Sequence, residues 1–504
     1  MADDHCQQSR GSFAAFASFA VDSSGLAAFL SPNMGLFTKK SFDELQAEAE
    51  RGLLRRSLGP WNLTALGIGS IIGTGIFVLT GTAASQNAGP ALVFSMIISA
   101  VGCAFAGLCY AEFAAMVPVA GSAYTYAYAT AGEIFAWIIG WDLILEYALS
   151  TATVAVGWSG YFVSLMHDIG LDVPAALAGP PGSINLPALA IVLIVATLLV
   201  IGIKQSADTN TLLVAIKALV LVVFVVAGAS YVKRANLTPL IPPNEGEFGR
   251  FGWSGVLRGA GVMFFAYIGF DAVSTAAQEA KRPARDMPIG ILASLAICTV
   301  LYVCVAIVLL GIVPYQQLMV PDPLAIGIDA TGLTWLSPII KIAALFGLFS
   351  TMLVNLLAQT RIFYSMSRDR LLPAMFSVVH PRFRTPHLST ILTATIIGLA
   401  SALTPISVLS QLVSIGTLLA FVLVCIGVII LRKTAPDAPR PFRTPAVPLV
   451  PVAGAAICLA QMVGLPAATW ERLLIWLVIG LLVYFGYGRR CAVAGRVLRT
   501  QPEA

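Results

Sequence analysis

Four glycines stand within the nine residues Gly67-Ile-Gly-Ser-Ile-Ile-Gly-Thr-Gly75, inside the first long apolar run of the chain. Each costs a helix roughly 1 kcal/mol relative to alanine, so the run reads as a helix broken at Gly73-Thr74-Gly75. A second run carries Gly259-Ala-Gly-Val-Met-Phe-Phe-Ala-Tyr-Ile-Gly-Phe-Asp271, which sets Gly269 and a carboxylate in mid-span. In a bilayer, backbone groups freed by a break find no water, so a break persists only where other groups satisfy them. A broken helix presents free N–H groups at the start of its second half and free C=O groups at the end of its first. The N–H end attracts a carboxylate and the C=O end an ammonium. Two such breaks side by side hold both ends of a zwitterion, and an α-amino acid is the ligand they imply. The glycines also admit a packing reading, since Gly69-xxx-Gly73 has the spacing of close helix contacts.

Ionisable residues inside apolar runs are functional candidates by default. Lys217 lies nine residues beyond Asp208, ~13 Å deep at 1.5 Å per residue, farther than snorkelling covers. Burial disfavours the charged ammonium, which lets such a lysine act as a proton carrier; the alternative is a structural cation bonded to the carbonyls of the first break. Glu146 stands thirteen residues beyond Glu133, a depth that allows it to pair with Lys217. Asp142, one turn away, is expected nearer the cytoplasmic interface. Asp271 is either an N-cap or a gating or coupling group. Lys341 is placed to snorkel outward. Ser350 and Thr351 could offer hydroxyls to a cation, although hydroxyls in membrane helices mostly bond their own backbone.

These residues sit in 504 residues that are 58% hydrophobic and 11% charged, against about 25% charged in soluble domains. Apolar runs of twenty or more residues recur along the length, each long enough to cross a hydrocarbon core of about 30 Å. The chain is therefore expected to be an all-α polytopic membrane protein. Twelve spans are expected at roughly 60–86, 89–117, 133–166, 184–204, 208–231, 255–280, 287–313, 335–365, 388–404, 406–431, 446–466 and 470–488. Of 30 Lys and Arg, 23 fall in the tails and even-numbered loops, 5 on the opposite side, and Lys217 and Lys341 within spans. The positive-inside bias puts both termini in the cytoplasm and makes the +5 net charge a topology signal with no nucleic-acid partner implied. Residues 1–33 read as a disordered tail or as sequence upstream of a start at Met34. Ser41 to Arg56 reads as an amphipathic surface helix. The eight cysteines show no CxxC or Cys/His spacing and read as small apolar packing residues; no metal is expected.

Spans 1 and 6 each open a set of five, one crossing outward and the other inward. Breaks in register in two such halves point to the binding site of an inverted-repeat transporter. The expected organisation is a tail to residue 57, a first repeat at 58–231, a second at 255–431, two further spans at 446–488, and a tail from 489.

The residues that carry these features resemble the amino acid–polyamine–organocation superfamily, and within it the cationic amino acid transporter branch and its bacterial relatives. The matching stretches are Leu63-Thr-Ala-Leu-Gly-Ile-Gly-Ser-Ile-Ile-Gly-Thr-Gly-Ile-Phe77, Pro118-Val-Ala-Gly-Ser-Ala-Tyr-Thr-Tyr126, Gly140-Trp-Asp-Leu-Ile-Leu-Glu-Tyr147, Phe264-Phe-Ala-Tyr-Ile-Gly-Phe-Asp-Ala-Val-Ser-Thr275 and Asp286-Met-Pro-Ile-Gly-Ile291. The resemblance covers about 34–490. It implies a five-plus-five inverted-repeat core, of the leucine-transporter type, from spans 1–10. Carried over, the N–H groups of Gly73, Thr74 and Gly75, beside Ile71, would hold the substrate carboxylate. The carbonyls of Phe265, Ala266 and Ile268 would take the amino group, with Phe265 as an aromatic gate. Sodium-coupled relatives hold an ion between spans 1 and 8, and a span-5 lysine replaces it in proton-coupled ones. Lys217 matches that position, so the resemblance favours proton coupling, with Glu146 and Asp271 as further coupling groups and no other cofactor.

A membrane-embedded enzyme would need clustered His, Cys or acidic residues at one depth or an HExxH motif. His5, His167, His380 and His387 all lie in the tail or loops. A channel would show a filter loop or polar ring, and none stands out. An exchanger, a polyamine antiporter or a non-transporting amino-acid sensor would carry the same site. Span 3 offers Thr151, Thr153, Gly157, Trp158 and Ser159 as a small, mixed lining, so a neutral amino acid fits as well as a cationic one. The expected setting is the cell membrane, with an amino acid and the bilayer as partners and the chain either monomeric or joined by a small single-span subunit.

Overall fold

A computed structural model of the chain describes residues 37–40, 58–116, 122–179, 183–202, 207–383 and 385–493. The expected tail helix at 41–56, the question of a start at Met34, and the end of the C-terminal tail lie outside them. The long helices, in chain order, are α1 (Pro60–Ile71), α2 (Leu92–Met116), α3 (Glu133–Asp168), α4 (Leu186–Ile201), α5 (Ala207–Gly228), α6 (Gly252–Met263), α7 (Pro283–Ile312), α8 (Leu336–Arg368), α9 (His387–Leu403), α10 (Ile406–Thr434), α11 (Leu449–Gly464) and α12 (Ala467–Val483). Two shorter helices that hydropathy did not foresee, Ser122–Thr130 and Pro323–Asp329, fill the connections before α3 and α8. Eight described segments are long and apolar enough to cross a membrane. One of them, Gly75–Met116, runs through the turn before α2, while α4, α9 and α11 are shorter apolar helices of 16 or 17 residues.

Two long helices frame the interior. α3, at 36 residues, extends ~54 Å at 1.5 Å per residue and packs most extensively against α8. The antiparallel pair is registered by Asn355 Nδ2 donating to Ser150 Oγ at 2.9 Å and by Gly140 against Met366 Sδ. Around it, α7 lies against α1 and α2, and α10 lies against α3 and α11. At the end where α3 begins, Glu112 of α2 is fully buried and accepts from Arg432 at 3.0 and 2.8 Å and from Thr444 N at 2.7 Å. That charge is thereby matched, as a buried carboxylate requires.

α1 starts with proline in its first turn, where the lost N–H is free anyway, and it stops at Ile71 with Ile72 extended. The chain resumes as a wide π-type turn, Gly75–Leu79. α6 ends at Met263, tightens to a 3-10 turn at Phe264–Tyr267, and is extended at Ile268. Gly269 then adopts φ +119°, open in practice only to glycine, and a short helix follows from Ala272 to Thr275. Both breaks occur where glycine and β-branched residues deny the helix its propensity.

Candidate functional site

The two breaks are pressed together. A Cβ on Gly75 would run into Ala266, and one on Gly269 would lie 2.8 Å from Ser70 Cβ. The earlier glycines serve packing: a Cβ on Gly69 would meet Val214 of α5 at 2.6 Å, and Gly67 sits on Ser294 of α7. The packing and the break readings of this run therefore divide between Gly67 and Gly69 on one side and Gly73 and Gly75 on the other.

Between the breaks lies a cavity lined by Ile71, Gly73, Thr74, Gly75, Phe265 and Ile268, with Ser150 and Val154 from α3 and Thr351 and Asn355 from α8. It has only about 10 Å³ open to a water-sized sphere, room for about one water. A ligand the size of an amino acid therefore enters only when a wall moves. Among the described residues the N–H groups of Gly73, Thr74 and Gly75 donate no backbone hydrogen bond, whereas Gly73 O accepts from Ile76 and Phe77. Three consecutive free N–H groups at a helix start form an anion-binding concavity. On the other wall Phe265 O accepts from Ile268 N at 3.3 Å, while Ile268 O takes no backbone donor; Ala266 packs against Gly75 and is not one of the lining residues, although its O also takes no backbone donor. Phe265 itself is buried and lines the cavity.

The carbonyl end of α1 is occupied. Lys217 of α5 is buried, and its Nζ donates to Gly69 O at 2.9 Å, Ile72 O at 3.2 Å and Thr351 Oγ1 at 2.9 Å. The ammonium thus caps the negative end of the half-helix dipole and ties α5 and α8 to the break. Ile71 O is taken by the hydroxyl of Tyr302 on α7 at 2.8 Å. Nothing in the apolar sequence around Tyr302 signalled this.

Glu146 does not pair with Lys217: no ion pair joins them among the described residues, and both Glu146 oxygens lack hydrogen-bond partners. Depth along a helix set the expectation, but the two side chains meet different neighbours, Lys217 the carbonyls of the first break and Thr351. Glu146 instead shares a neighbourhood with Asp271 and Asp142. Asp271 stands at the N-cap of the short helix after the second break without a side-chain cap bond. Its carboxylate accepts from Gly269 N at 3.2 Å and from the Tyr147 hydroxyl at 3.1 Å. Tyr147 belongs to the Gly140–Tyr147 stretch, which is the signal that could have found it.

Asp142 is buried, 1% exposed. Two further expectations change. Lys341 does not snorkel; it is held by Asp168 at 2.6 Å and lies 3.8 Å from Asp322. From α3 the cavity is lined by Ser150 and Val154, whereas Thr151 and Thr153 bond Tyr147 O and Leu149 O of their own helix and Ser159 bonds Asn185. Gly157 lies behind the break, against Thr74.

Comparison with known proteins gives this arrangement its context. The family model described as amino acid permease matches residues 58–484. A branched-chain amino acid permease of Bacillus subtilis (strain 168) is 47% identical over 464 residues, 90% of this chain and 98% of the relative. A methylthioribose transporter of the same organism is 45% identical over 460 residues, with the same coverage. The vacuolar cationic amino acid transporter 4 of Arabidopsis thaliana is 38% identical over 390 residues, 76% of this chain and 64% of the relative. With that extent of match, and two broken helices enclosing a cavity in a membrane-type helical bundle, the chain belongs to the amino acid permease family and is a transporter, not an enzyme.

Proposed function

We propose that this chain is a proton-coupled symporter of a neutral amino acid, working by alternating access around the two breaks. The observation that carries this is the cavity itself, with free N–H groups of residues 73–75 on one wall and the open carbonyl of Ile268 on the other, that of Ala266 standing just behind it. The substrate carboxylate binds the first set and its ammonium the second, and Phe265 moves to admit it. Among the described residues no acidic side chain lines the cavity, which favours an uncharged side chain, in keeping with the branched-chain permease among the relatives. The same lack counts against a polyamine antiporter, whose substrate carries several cations and no carboxylate.

Splitting Gly75–Met116 at Gly89 and adding α4, α9 and α11 gives twelve spans. Spans 1–5 and 6–10 then form the inverted repeat, and both termini lie in the cytoplasm of a cell-membrane protein. Lys217 occupies, from within the chain, the place between spans 1 and 8 that a sodium ion would take. Its proton couples to transport because losing it frees the carbonyls of Gly69 and Ile72 and loosens the break. Glu146 and Asp271 pass the proton onward.

The substrate assignment is tested by binding of a neutral amino acid, its amide and its desamino analogue to the purified protein. Loss of binding by both analogues is expected; an analogue that binds like the parent removes the corresponding pole from the site. An exchanger would show counterflow of labelled substrate but no uptake driven by a proton gradient, and a sensor would bind without flux.

A further inference from the structure

One stripe of α3 carries Asp142, Glu146, Ser150 and Val154 at four-residue intervals, so the four share a face. Ser150 and Val154 line the cavity. Glu146 lies ~6 Å farther along the helix and Asp142 ~6 Å beyond that, in the direction of the Glu133 end. Both carboxyls are 1% exposed, and all four of their oxygens lack hydrogen-bond partners. The groups around them come from several elements. From α2, Tyr110 lies near Glu146 and Asp271. From α10, Thr417 faces Glu146 but donates its hydroxyl to Val413 O at 3.0 Å, and Gly416 leaves the space Asp142 uses, since a Cβ there would lie 2.7 Å from Asp142 Oδ1. From α8, the register fixed by Ser150–Asn355 and Gly140–Met366 sets Gln359 level with Glu146, and both amide atoms of this buried side chain are also unpartnered. Beyond the second break, Asp271 is held by Tyr147. Among the described residues, the hydrogen bonds from α12 to this part of α3 run between Trp476 and Gly480 O and the indoles of Trp141 and Trp137. Of the cations on α10 and its following loop, Arg432 and Arg440 are engaged by Glu112.

Unpaired buried carboxylates cost several kcal/mol each, so both groups hold protons in this closed conformation. Neither carboxyl has a packing partner that explains its presence, and the two continue the cavity lining toward one end of the bundle. We propose that Asp142 is a further proton carrier, one turn cytoplasmic to Glu146, and that the coupling proton leaves along the row Asp271, Glu146, Asp142. The proposal rests on the proton-symport reading above. When the inner side opens, water enters between α3 and α10. Asp142 releases its proton to the cytoplasmic solvent, Glu146 then gives its proton to the water, and the water gives one to the Asp142 carboxylate just formed, so that one proton leaves and Glu146 is left ready to be refilled from Asp271. Gln359 supplies a donor and an acceptor to the same water.

The test uses the full chain in liposomes, with external pH fixed and lumenal pH varied. Net uptake of labelled leucine is compared with leucine counterflow at equal pH, which needs no proton release. In the wild type, net uptake is expected to slow as the lumen is acidified. In Asp142→Asn, net uptake is lost together with its lumenal-pH dependence, while counterflow and leucine binding persist; Asp142→Glu restores net uptake. Wild-type net uptake with the usual lumenal-pH dependence in Asp142→Asn overturns the proposal, as does equal loss of counterflow and net uptake in a variant that still binds leucine. Should the wild type itself show no gradient-driven uptake, the symport reading fails, and this inference fails with it. Gly416→Ala, which displaces the Asp142 carboxyl without changing its chemistry, is expected to reproduce Asp142→Asn in direction; unaltered net uptake in it counts against the placement.

Discussion

Replacing Thr351 with valine keeps the shape of the side chain and removes one of the three groups that hold the Lys217 ammonium. The hydroxyl lies 2.9 Å from Nζ, beside the carbonyls of Gly69 and Ile72 at 2.9 and 3.2 Å. A hydrogen bond to a charged group is worth about 1.5–3 kcal/mol, and the charged lysine loses it while the neutral lysine loses less. At 1.36 kcal/mol per decade, the apparent affinity of the transporter for protons should fall roughly 10- to 150-fold. Uptake of labelled leucine into liposomes, measured against external pH, reports this as a half-maximal point moved one to two units to more acid pH, about one unit per decade. Thr351→Ser retains the hydroxyl and should titrate like the wild type. A valine variant that loses maximal rate at every pH, with its half-maximal point unmoved, would show that the hydroxyl serves packing only and that Lys217 does not titrate during transport.

Gly269→Ala places a side chain at φ +119° and 2.8 Å from Ser70, a strain of about 1–3 kcal/mol before any steric overlap. The expected result is loss of leucine binding in a protein that still purifies as a folded species, read by binding and thermal unfolding together. Lys341→Met leaves Asp168 and Asp322 without their cation; breaking a buried pair costs about 3–5 kcal/mol, and the low end applies because Asp168 is 33% exposed. A lowered Tm, with the substrate preference unchanged, is the outcome to look for. Asp322 behaves oppositely. It lies in the loop before α8, and burial pushes its carboxyl above the usual range despite the Ser164 hydroxyl and Lys341. A carboxyl raised in the folded state costs stability as pH climbs from the unfolded value through the folded one. Asp322→Asn should therefore raise Tm at neutral pH and leave it unchanged at acid pH, where both states are protonated. Asn355→Asp adds a carboxylate to a cavity that has none and should shift competition for uptake from leucine toward lysine; unchanged competition would place the substrate side chain elsewhere.

Which parts were legible in the sequence follows from which interactions are local. The break at Gly73-Thr74-Gly75 was visible because four glycines act on their own backbone, and Gly269-Phe-Asp271 for the same reason. The depth of Lys217 came from counting residues along one helix. Rotation about a helix axis was not available that way, and it decides contacts: Ser150 and Val154 face the cavity while Thr151 and Thr153 do not. Glu146 and Lys217, level by residue count, likewise meet different neighbours. Partners remote in the chain were equally hidden. Asp168 is 173 residues from Lys341, and Tyr302 is 231 residues from the carbonyl of Ile71. The short helices Ser122–Thr130 and Pro323–Asp329 escaped because neither is long or apolar enough to stand out by hydropathy.

Uptake of labelled leucine into liposomes in sodium-free buffer, with and without an inward proton gradient, bears most directly on the central claim, with Lys217→Ala run beside the wild type. Gradient-driven accumulation in the wild type that collapses in Lys217→Ala, while leucine still binds both proteins, is the expected result. Accumulation indifferent to the gradient, or appearing only when sodium is added, would contradict it.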